Sequence, residues 1–181
     1  MKVLVTGISG YVGAAIVPRL QRDGHEVIGL TRDRRRVEAK VPIVEGDVLT
    51  GAGLREALNG VEVAYYLIHS MEPSADGSLA VREQAGAERF AAVAQESGVR
   101  RIVYLGGPAP EGGPRSVHLT SRLEVERILL EATPCSTALR ASIVIGARSR
   151  SFRFLVRLVE RLPVLAVPAA AVSRRFPRGC L

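Results

Sequence analysis

Three glycines near the start of the chain limit its fold more than any other feature of the sequence. Gly7, Gly10 and Gly13 recur every third residue, and only Thr6 separates them from the apolar run Val3–Val5. A buried strand that passes through such a turn into a helix opens a doubly wound α/β domain. In that arrangement Gly7 permits a tight turn, Gly10 leaves the backbone of the turn uncovered by a side chain, and Gly13 lets the helix pack closely on the strand. The sequence therefore begins with a predicted strand, turn and helix.

The rest of the chain, as far as residue 150, alternates short apolar runs with helical patterns. That rhythm is typical of a parallel sheet with helices on both faces. We predict a Rossmann-type doubly wound α/β fold with the strand order 3-2-1-4-5-6. The predicted strands are Lys2–Thr6, Glu26–Thr31, Ile43–Glu45, Val63–Ile68, Ile102–Gly106 and Thr137–Ile145, and the predicted helices are Tyr11–Arg22, Gly53–Leu58, Leu79–Ser97, Leu119–Glu131 and Phe152–Leu162.

The turn between the first strand and the first helix has the chemistry of an anion site. The free N–H groups and partial positive charge of a helix N-terminus attract phosphate, and the missing side chain at Gly10 lets a pyrophosphate reach the backbone. The plainer alternative is a glycine-rich turn without a ligand. Its position directly after the first strand favours a dinucleotide, whose pyrophosphate we expect to contact Gly7, Ser9, Gly10, Tyr11, Val12 and Gly13.

The end of the second predicted strand indicates which dinucleotide is bound. NAD-binding domains place an acid there to hold the ribose hydroxyls. Here the strand runs through Leu30 and Thr31 to Arg32, and we expect no acid at its tip. A guanidinium pairs well with a 2′-phosphate, so Arg32 predicts NADP as the cofactor, with NAD as the alternative. The run Arg34–Arg36 is better explained as solvated charge that opens a surface helix.

Four segments carry more specific patterns: TGISGYVG at 6–13, EGDV at 45–48, VAYYLIHSM at 63–71 and LRASIVIG at 139–146. Together they resemble the short-chain dehydrogenase/reductase superfamily in its extended or atypical branch. Within that branch the chain is similar to NmrA-like proteins and to an accessory subunit of respiratory complex I. The resemblance implies that Asp47 and Val48 flank the adenine of the cofactor, and that the cofactor is lined by Leu67, Ile68 and His69.

The resemblance fails at the catalytic residues. The family uses a Tyr and, four residues later, a Lys that lowers the Tyr pKa, together with a Ser after the fifth strand. None of the four tyrosines of this chain precedes a Lys at that spacing. His118 and Arg122 stand at the expected positions on the helix, and Gly106 and Gly107 replace the Ser.

His118 and Arg122 leave two functions open. An imidazole titrates near neutral pH and can exchange a proton with a substrate, and Arg122 can bind ribose hydroxyls. Both can equally be ordinary residues of the helix. The first hypothesis is an NADPH-dependent atypical oxidoreductase that reduces a carbonyl, quinone-like or isoprenoid-like substrate. The second is a catalytically silent dinucleotide-binding module that senses redox state or supports the assembly of a protein partner.

The pattern predicts three parts along the chain. Residues 1–150 form the dinucleotide-binding domain, and residues 151–168 begin a C-terminal substrate region that is truncated. Residues 169–181 carry three arginines and no acid, and they show neither a helical nor a strand period. We expect this tail to be disordered or non-native, as the result of a frameshift or an artificial end.

The last predicted helix is amphipathic. Arg153, Arg157 and Arg161 recur every fourth residue on one face, and apolar side chains occupy another. Such a helix can pack on the sheet, which is the more ordinary arrangement, or lie on a membrane surface.

Charge and cysteine content exclude several classes of partner. The formal net charge is +7, but the basic residues are scattered and no aromatic residues interleave with them, so we expect no nucleic-acid partner. Cys135 and Cys180 lack the spacing of a metal site or a disulfide. No apolar run reaches the ~18 residues of a transmembrane segment. We therefore expect a cytoplasmic protein that binds a small-molecule substrate or a protein partner.

Overall fold

The computed structural model describes residues 1–68, 78–108, 117–142 and 144–161. Over these residues strands and helices alternate, with one 3₁₀ turn at Arg34–Arg36. The strands are β1 (Lys2–Thr6), β2 (Glu26–Thr31), β3 (Ile43–Glu45), β4 (Val63–Tyr66), β5 (Arg101–Gly106) and β6 (Thr137–Arg140). The helices are α1 (Tyr11–Arg22), α2 (Leu54–Leu58), α3 (Ser78–Glu96), α4 (Val117–Ala132) and α5 (Arg150–Arg161).

These six strands are parallel and lie in the order β3-β2-β1-β4-β5-β6, as predicted. From β1 the sheet grows in one direction through β2 and β3, and in the other through β4, β5 and β6. The carboxyl ends of β1 and β4 therefore flank the point where the strand order reverses, which is where ligands bind in open α/β sheets. The predicted Rossmann-type doubly wound fold is confirmed.

Alternating side chains of β1 supply the centre of two cores, one on each face of the sheet. Val3 and Val5 are buried on the face that α1 covers. Leu4 is buried on the opposite face, which α2, α3 and α4 cover. There the fully buried Phe90 of α3 meets the Tyr66 ring edge-on, with the ring centroids 5.0 Å apart. The helices on both faces hold the strand ends in place.

The strands β4 and β6 are shorter than predicted, whereas the helix ends differ from the predicted ones by no more than two residues. The pairing of β6 stops where β5 stops, with Gly106 opposite Arg140. At the end of β4 the N–H of Leu67 is bonded to a side chain rather than to a neighbouring strand. The apolar sequence pattern continues beyond the ends of β4 and β6, but the backbone pairing with the neighbouring strand does not.

The chain divides into two compact units, Met1–Ser142 and Ile143–Leu181. The substrate region predicted for residues 151–168 is described only as far as residue 161. The tail predicted for residues 169–181 lies outside the described residues. No described helix combines the length and the apolar composition that crossing a bilayer requires.

Candidate functional site

The glycine turn lies at the carboxyl end of β1, beside the end of β4. Gly7 has a φ of +65°, which residues with a side chain rarely adopt, and a Cβ there would lie 2.9 Å from the Leu67 carbonyl oxygen. The turn closes with a hydrogen bond from the Gly10 N–H to the Gly7 carbonyl oxygen at 2.9 Å. Glycine is therefore required at position 7 both by the backbone conformation and by the close approach of the neighbouring chain.

Gly13 sets how closely α1 approaches the turn. A Cβ built on Gly13 would lie 2.5 Å from the Gly7 carbonyl oxygen and 2.8 Å from the Ile8 Cα. Both of these atoms belong to the backbone, so a change of side-chain rotamer cannot relieve the clash. The absence of a side chain at Gly13 thus lets the first turn of α1 lie directly on the end of β1.

The N-terminus of α1 is open to solvent. Gly10 is its exposed N-cap residue, and within the described part of the chain no side chain caps the helix. The first intrahelical bond runs from the Ala14 N–H to the Gly10 carbonyl oxygen at 2.9 Å, so the Val12 and Gly13 amides precede the first hydrogen bond of the helix. In α1, which is described in full, no acid in the first turn offsets the helix dipole. Gly10 has a φ of −82°, so its role is to leave space rather than to permit a conformation.

Thr6 joins the carboxyl ends of β1 and β4 through its side chain. Its buried hydroxyl donates to the Tyr65 carbonyl oxygen at 3.0 Å and accepts from the Leu67 N–H at 3.1 Å. The two hydrogen bonds join the end of β1 to the segment in which β4 ends. Thr6 is not among the predicted site residues, although its position directly before Gly7 is a signal that points to it.

Leu67 and Ile68 follow β4 at the reversal point. Both are half-buried: Leu67 packs on the core of the α1 face, and Ile68 packs on the core of the opposite face. The two side chains thus anchor this segment on both sides of the sheet. The third residue predicted for this group, His69, lies outside the described residues.

The segment after β2 borders the turn on the other side of β1. Arg32 is exposed, and among the described residues its guanidinium forms no ion pair. The sequence predicts no acid at the tip of β2. This expectation needs correction, because Asp33 follows directly after Arg32. Asp33 Oδ1 accepts from the Arg35 N–H at 3.1 Å and from Arg35 Nε at 3.0 Å. The hydrogen bond from the Arg35 side chain lowers the pKa of Asp33.

Arg34 and Arg35 hold this loop in place. The Arg34 guanidinium donates to the Ile43 carbonyl oxygen at 2.6 Å, and the Arg34 N–H donates to the Glu45 carboxylate at 2.9 Å. These bonds tie the loop to β3. The arginine run forms a single 3₁₀ turn that Asp33 caps, and not the surface helix that its charge pattern predicts. The hydrogen bonds of Arg34 tie the turn to β3.

Asp47 and Val48 follow β3 at the same edge of the sheet. Asp47 Oδ1 accepts from the Leu49 N–H at 2.8 Å, and its other carboxylate oxygen has no hydrogen bond with a described residue. Val48 is only 5% exposed and packs in the core beside Gly86 of α3. The expectation that both flank an adenine is therefore corrected for the Val48 side chain, which faces the core.

The predicted catalytic positions lie on α4. Residues 118 and 122 are four apart and so share one face of this helix. The side chain of His118 lies outside the described part of the structure. Arg122 is half-buried, and its Cδ lies 3.6 Å from the place of a Cβ on Gly107. The structure thus places Arg122 beside the chain that leaves β5.

Gly106 and Gly107 occupy the predicted position of the Ser, and of the two only Gly106 has surroundings that crowd a side chain. A Cβ on Gly106 would lie 2.8 Å from Tyr104 Cε1 and 3.2 Å from Glu126 Oε2. The Glu126 side chain is 7% exposed and is fixed by Arg140, whose Nη2 donates to Oε1 at 2.6 Å. Nothing in the sequence pattern singles out this ion pair, because its two members lie on different elements.

Tyr66 of β4 and Tyr104 of β5 are poor substitutes for the missing catalytic Tyr. Tyr66 and Tyr104 are 4% and 2% exposed. Burial raises the pKa of both hydroxyls, that of Tyr104 to about 12. Neither hydroxyl is therefore suited to exchange a proton near neutral pH.

Comparison with known proteins identifies a family model and several curated relatives that match the chain. The model of the NAD-dependent epimerase/dehydratase family matches residues 3–162. A 3-beta-hydroxysteroid dehydrogenase of Mycolicibacterium neoaurum is 30% identical over 140 residues, which cover 67% of this chain and 38% of that protein. A 3-diazoavenalumate denitrifying reductase of a Streptomyces species is 28% identical over 125 residues, which cover 63% of this chain and 41% of that protein. The chain thus spans about two fifths of the length of these curated relatives.

A solved structure shares the fold. MoeE5 in complex with UDP-glucose and NAD superposes with a TM-score of 0.73 at 23% sequence identity, over 88% of this chain and 60% of that one. The narrower likeness to NmrA-like proteins or to a complex I subunit stays a prediction. Because the family model covers nearly all of the described chain, the chain belongs to the NAD-dependent epimerase/dehydratase family, in the extended branch of the short-chain dehydrogenase/reductase superfamily.

Proposed function

We propose that this chain binds NADP(H) at the glycine turn and is an atypical oxidoreductase that reduces a carbonyl, quinone-like or isoprenoid-like substrate. The observation that carries the proposal is the bare N-terminus of α1 at the carboxyl end of β1. The comparisons support it, since two relatives are named as a dehydrogenase and a reductase, and MoeE5 holds NAD.

The turn fits a pyrophosphate in charge and in space. The amides of the first turn of α1 offer donors and a partial positive charge, with no acid among them. Gly10 presents no side chain toward solvent, so phosphate oxygens can approach the backbone. Ser9 is exposed next to it and can donate its hydroxyl. We assign the remaining contacts to the backbone of Tyr11 and Val12.

The loop after β2 favours NADP over NAD. Arg32 is exposed and has no ion-pair partner among the described residues, so it is available to a 2′-phosphate. The nearby Asp33 would otherwise hold ribose hydroxyls and repel a phosphate. Its carboxylate is already engaged by Arg35, which offsets its charge and keeps one of its oxygens occupied.

The adenine and nicotinamide ends are assigned by position. Asp47 keeps one carboxylate oxygen without a hydrogen bond to a described residue, and this oxygen can accept from an adenine amino group. Val48 contributes through its backbone, because its side chain is buried. Leu67, Ile68 and His69 line the cofactor at the end of β4.

The chain itself has to supply a proton for the reduction. When bound, a reduced nicotinamide supplies the hydride. We assign the proton to the imidazolium of His118, whose ordinary pKa lies near neutral, and the binding of ribose hydroxyls to Arg122. Tyr66 and Tyr104 are excluded from this role because burial raises the pKa of their hydroxyls.

A catalytically silent dinucleotide-binding module is the second candidate. The packing around Gly106 favours it, because Tyr104 and Glu126 occupy the space that a Ser side chain would need there, whereas at Gly107 a Cβ would meet only ordinary contacts. In that case the cofactor site is intact and no turnover follows from it.

Substitutions at two glycines of the turn should fail in different ways. Gly10→Val should keep the native fold at a small cost in stability, because Gly10 is exposed and has an ordinary φ, although a Cβ there would lie 3.0 Å from the Gly7 carbonyl oxygen. Its side chain should abolish saturable NADPH binding. Gly13→Ala should lower the free energy of unfolding by about 1–3 kcal/mol, because its methyl group meets backbone atoms. Urea denaturation and NADPH fluorescence titration measure the two effects. Wild-type NADPH affinity in Gly10→Val would show that the turn is not the phosphate site.

Arg32→Ala should weaken NADPH binding about ten- to a hundredfold and leave NADH binding nearly unchanged. The reason is the loss of a charge-assisted pair of hydrogen bonds to the 2′-phosphate, worth roughly 1.5–3 kcal/mol. Arg36→Ala is the matched control, since Arg36 is equally exposed in the same loop. Calorimetric titration with both cofactors makes the comparison. If the wild type binds NADH as tightly as NADPH, Arg32 does not select the cofactor.

His118→Phe should reduce NADPH oxidation by about two to four orders of magnitude, which is the usual contribution of a positioned acid. Its NADPH affinity should not change, because the proposed pyrophosphate contacts all lie between Gly7 and Gly13. The assay follows NADPH absorbance with a panel of quinones and carbonyl compounds. Unchanged turnover would remove His118 from the mechanism, and binding without turnover on any panel member would favour the silent module.

A further inference from the structure

The helix α5 presents an apolar stripe to solvent. Leu155, Val156 and Val159 are 38%, 36% and 55% exposed. Phe154 is 68% exposed, but its spacing places it on the side of the helix that carries Arg157 and Arg161. With the half-buried Phe152, the positions 152, 155, 156 and 159 follow the spacing of a single helix face. Solvent exposure of so many large apolar side chains on one short helix is costly. An exposed apolar face of this kind indicates a binding surface.

The opposite face of α5 is cationic. Arg153, Arg157 and Arg161 are exposed and four residues apart, and among the described residues they form no ion pair. Glu160 is the one acid between residues 152 and 161. The helix is held at its start by Ser149, whose hydroxyl accepts from the Phe152 N–H at 3.4 Å. A defined helix thus carries an apolar face and an uncompensated positive face.

The area of the stripe argues against a second copy of the chain as its occupant. Twelve residues make a helix about 18 Å long and about 10 Å wide. One face of it covers on the order of 200 Å², whereas a stable interface buries roughly 800 Å² on each partner.

A lipid surface needs no such area and matches both faces. An interfacial helix sinks its apolar side chains among the acyl chains, while arginines on the other side stay level with anionic headgroups. We propose that α5 binds the surface of an anionic lipid bilayer, with Leu155, Val156 and Val159 inserted and with Arg153 and Arg157 facing the headgroup phosphates. This binding is independent of the cofactor site.

Co-sedimentation of the full chain with lipid vesicles tests the proposal. The vesicles contain phosphatidylcholine with or without one quarter phosphatidylglycerol. The wild type should bind the anionic vesicles at least tenfold more tightly than the neutral ones, and high salt should weaken that binding. Val159→Asp should lose at least tenfold, because it places a charge in the apolar stripe.

The variant Arg153→Gln/Arg157→Gln should lose roughly twenty- to thirtyfold, at about fivefold for each arginine. Arg19→Gln/Arg22→Gln is the matched control: it removes the same charge from the exposed end of α1 and should bind like the wild type. Far-UV circular dichroism and NADPH affinity, measured on every variant, should not change. A loss of lipid binding then cannot be confused with unfolding or with a failure of the cofactor site.

Three results would overturn the proposal. The first is no binding of the wild type to anionic vesicles. The second is an equal loss in the α1 control, which would make the attraction a matter of net charge alone. The third is a dimer in sedimentation equilibrium that Val159→Asp dissociates, which would make a second copy the occupant of the stripe.

Discussion

The contact between Gly13 and the backbone of Gly7 and Ile8 is the constraint on which the rest of the site depends. With no side chain between them, the first turn of α1 lies directly on the end of β1. This approach puts the amides of the helix N-terminus at the carboxyl edge of the sheet, where the strand order reverses. A single methyl group at Gly13 would move the helix and its dipole away from that edge.

Next to the glycine turn, the Thr6 side chain replaces the backbone pairing between β1 and β4. The Thr6 hydroxyl bonds both the Tyr65 carbonyl and the Leu67 N–H, so the chain leaving β4 stays beside the glycine turn after the ladder ends. Gly7 permits the same closeness from the other side, since its missing Cβ makes room for the Leu67 carbonyl. Together these contacts shape the crevice before any ligand enters it.

Most of the fold was predictable because the first three strands are bounded by strong local signals. The ends of β1, β2 and β3 agree with the apolar pattern, since glycines or charged residues follow each of them. The end of β6 was not predictable, because it depends on where its partner β5 stops. The same holds for the ion pair between Glu126 and Arg140, which only the assembled sheet brings together. The inward turn of Val48 likewise follows from packing against α3 and not from its local sequence.

The central claim is that the glycine turn holds the pyrophosphate of a dinucleotide. Titration of the ¹⁵N-labelled chain with NADPH, followed by amide chemical shifts, tests it residue by residue. The largest saturable shifts should fall on the amides of Ser9, Gly10, Tyr11 and Val12, because these residues form the turn that would contact the phosphates. Shifts confined to other parts of the chain, with these four amides unmoved at saturation, would contradict it.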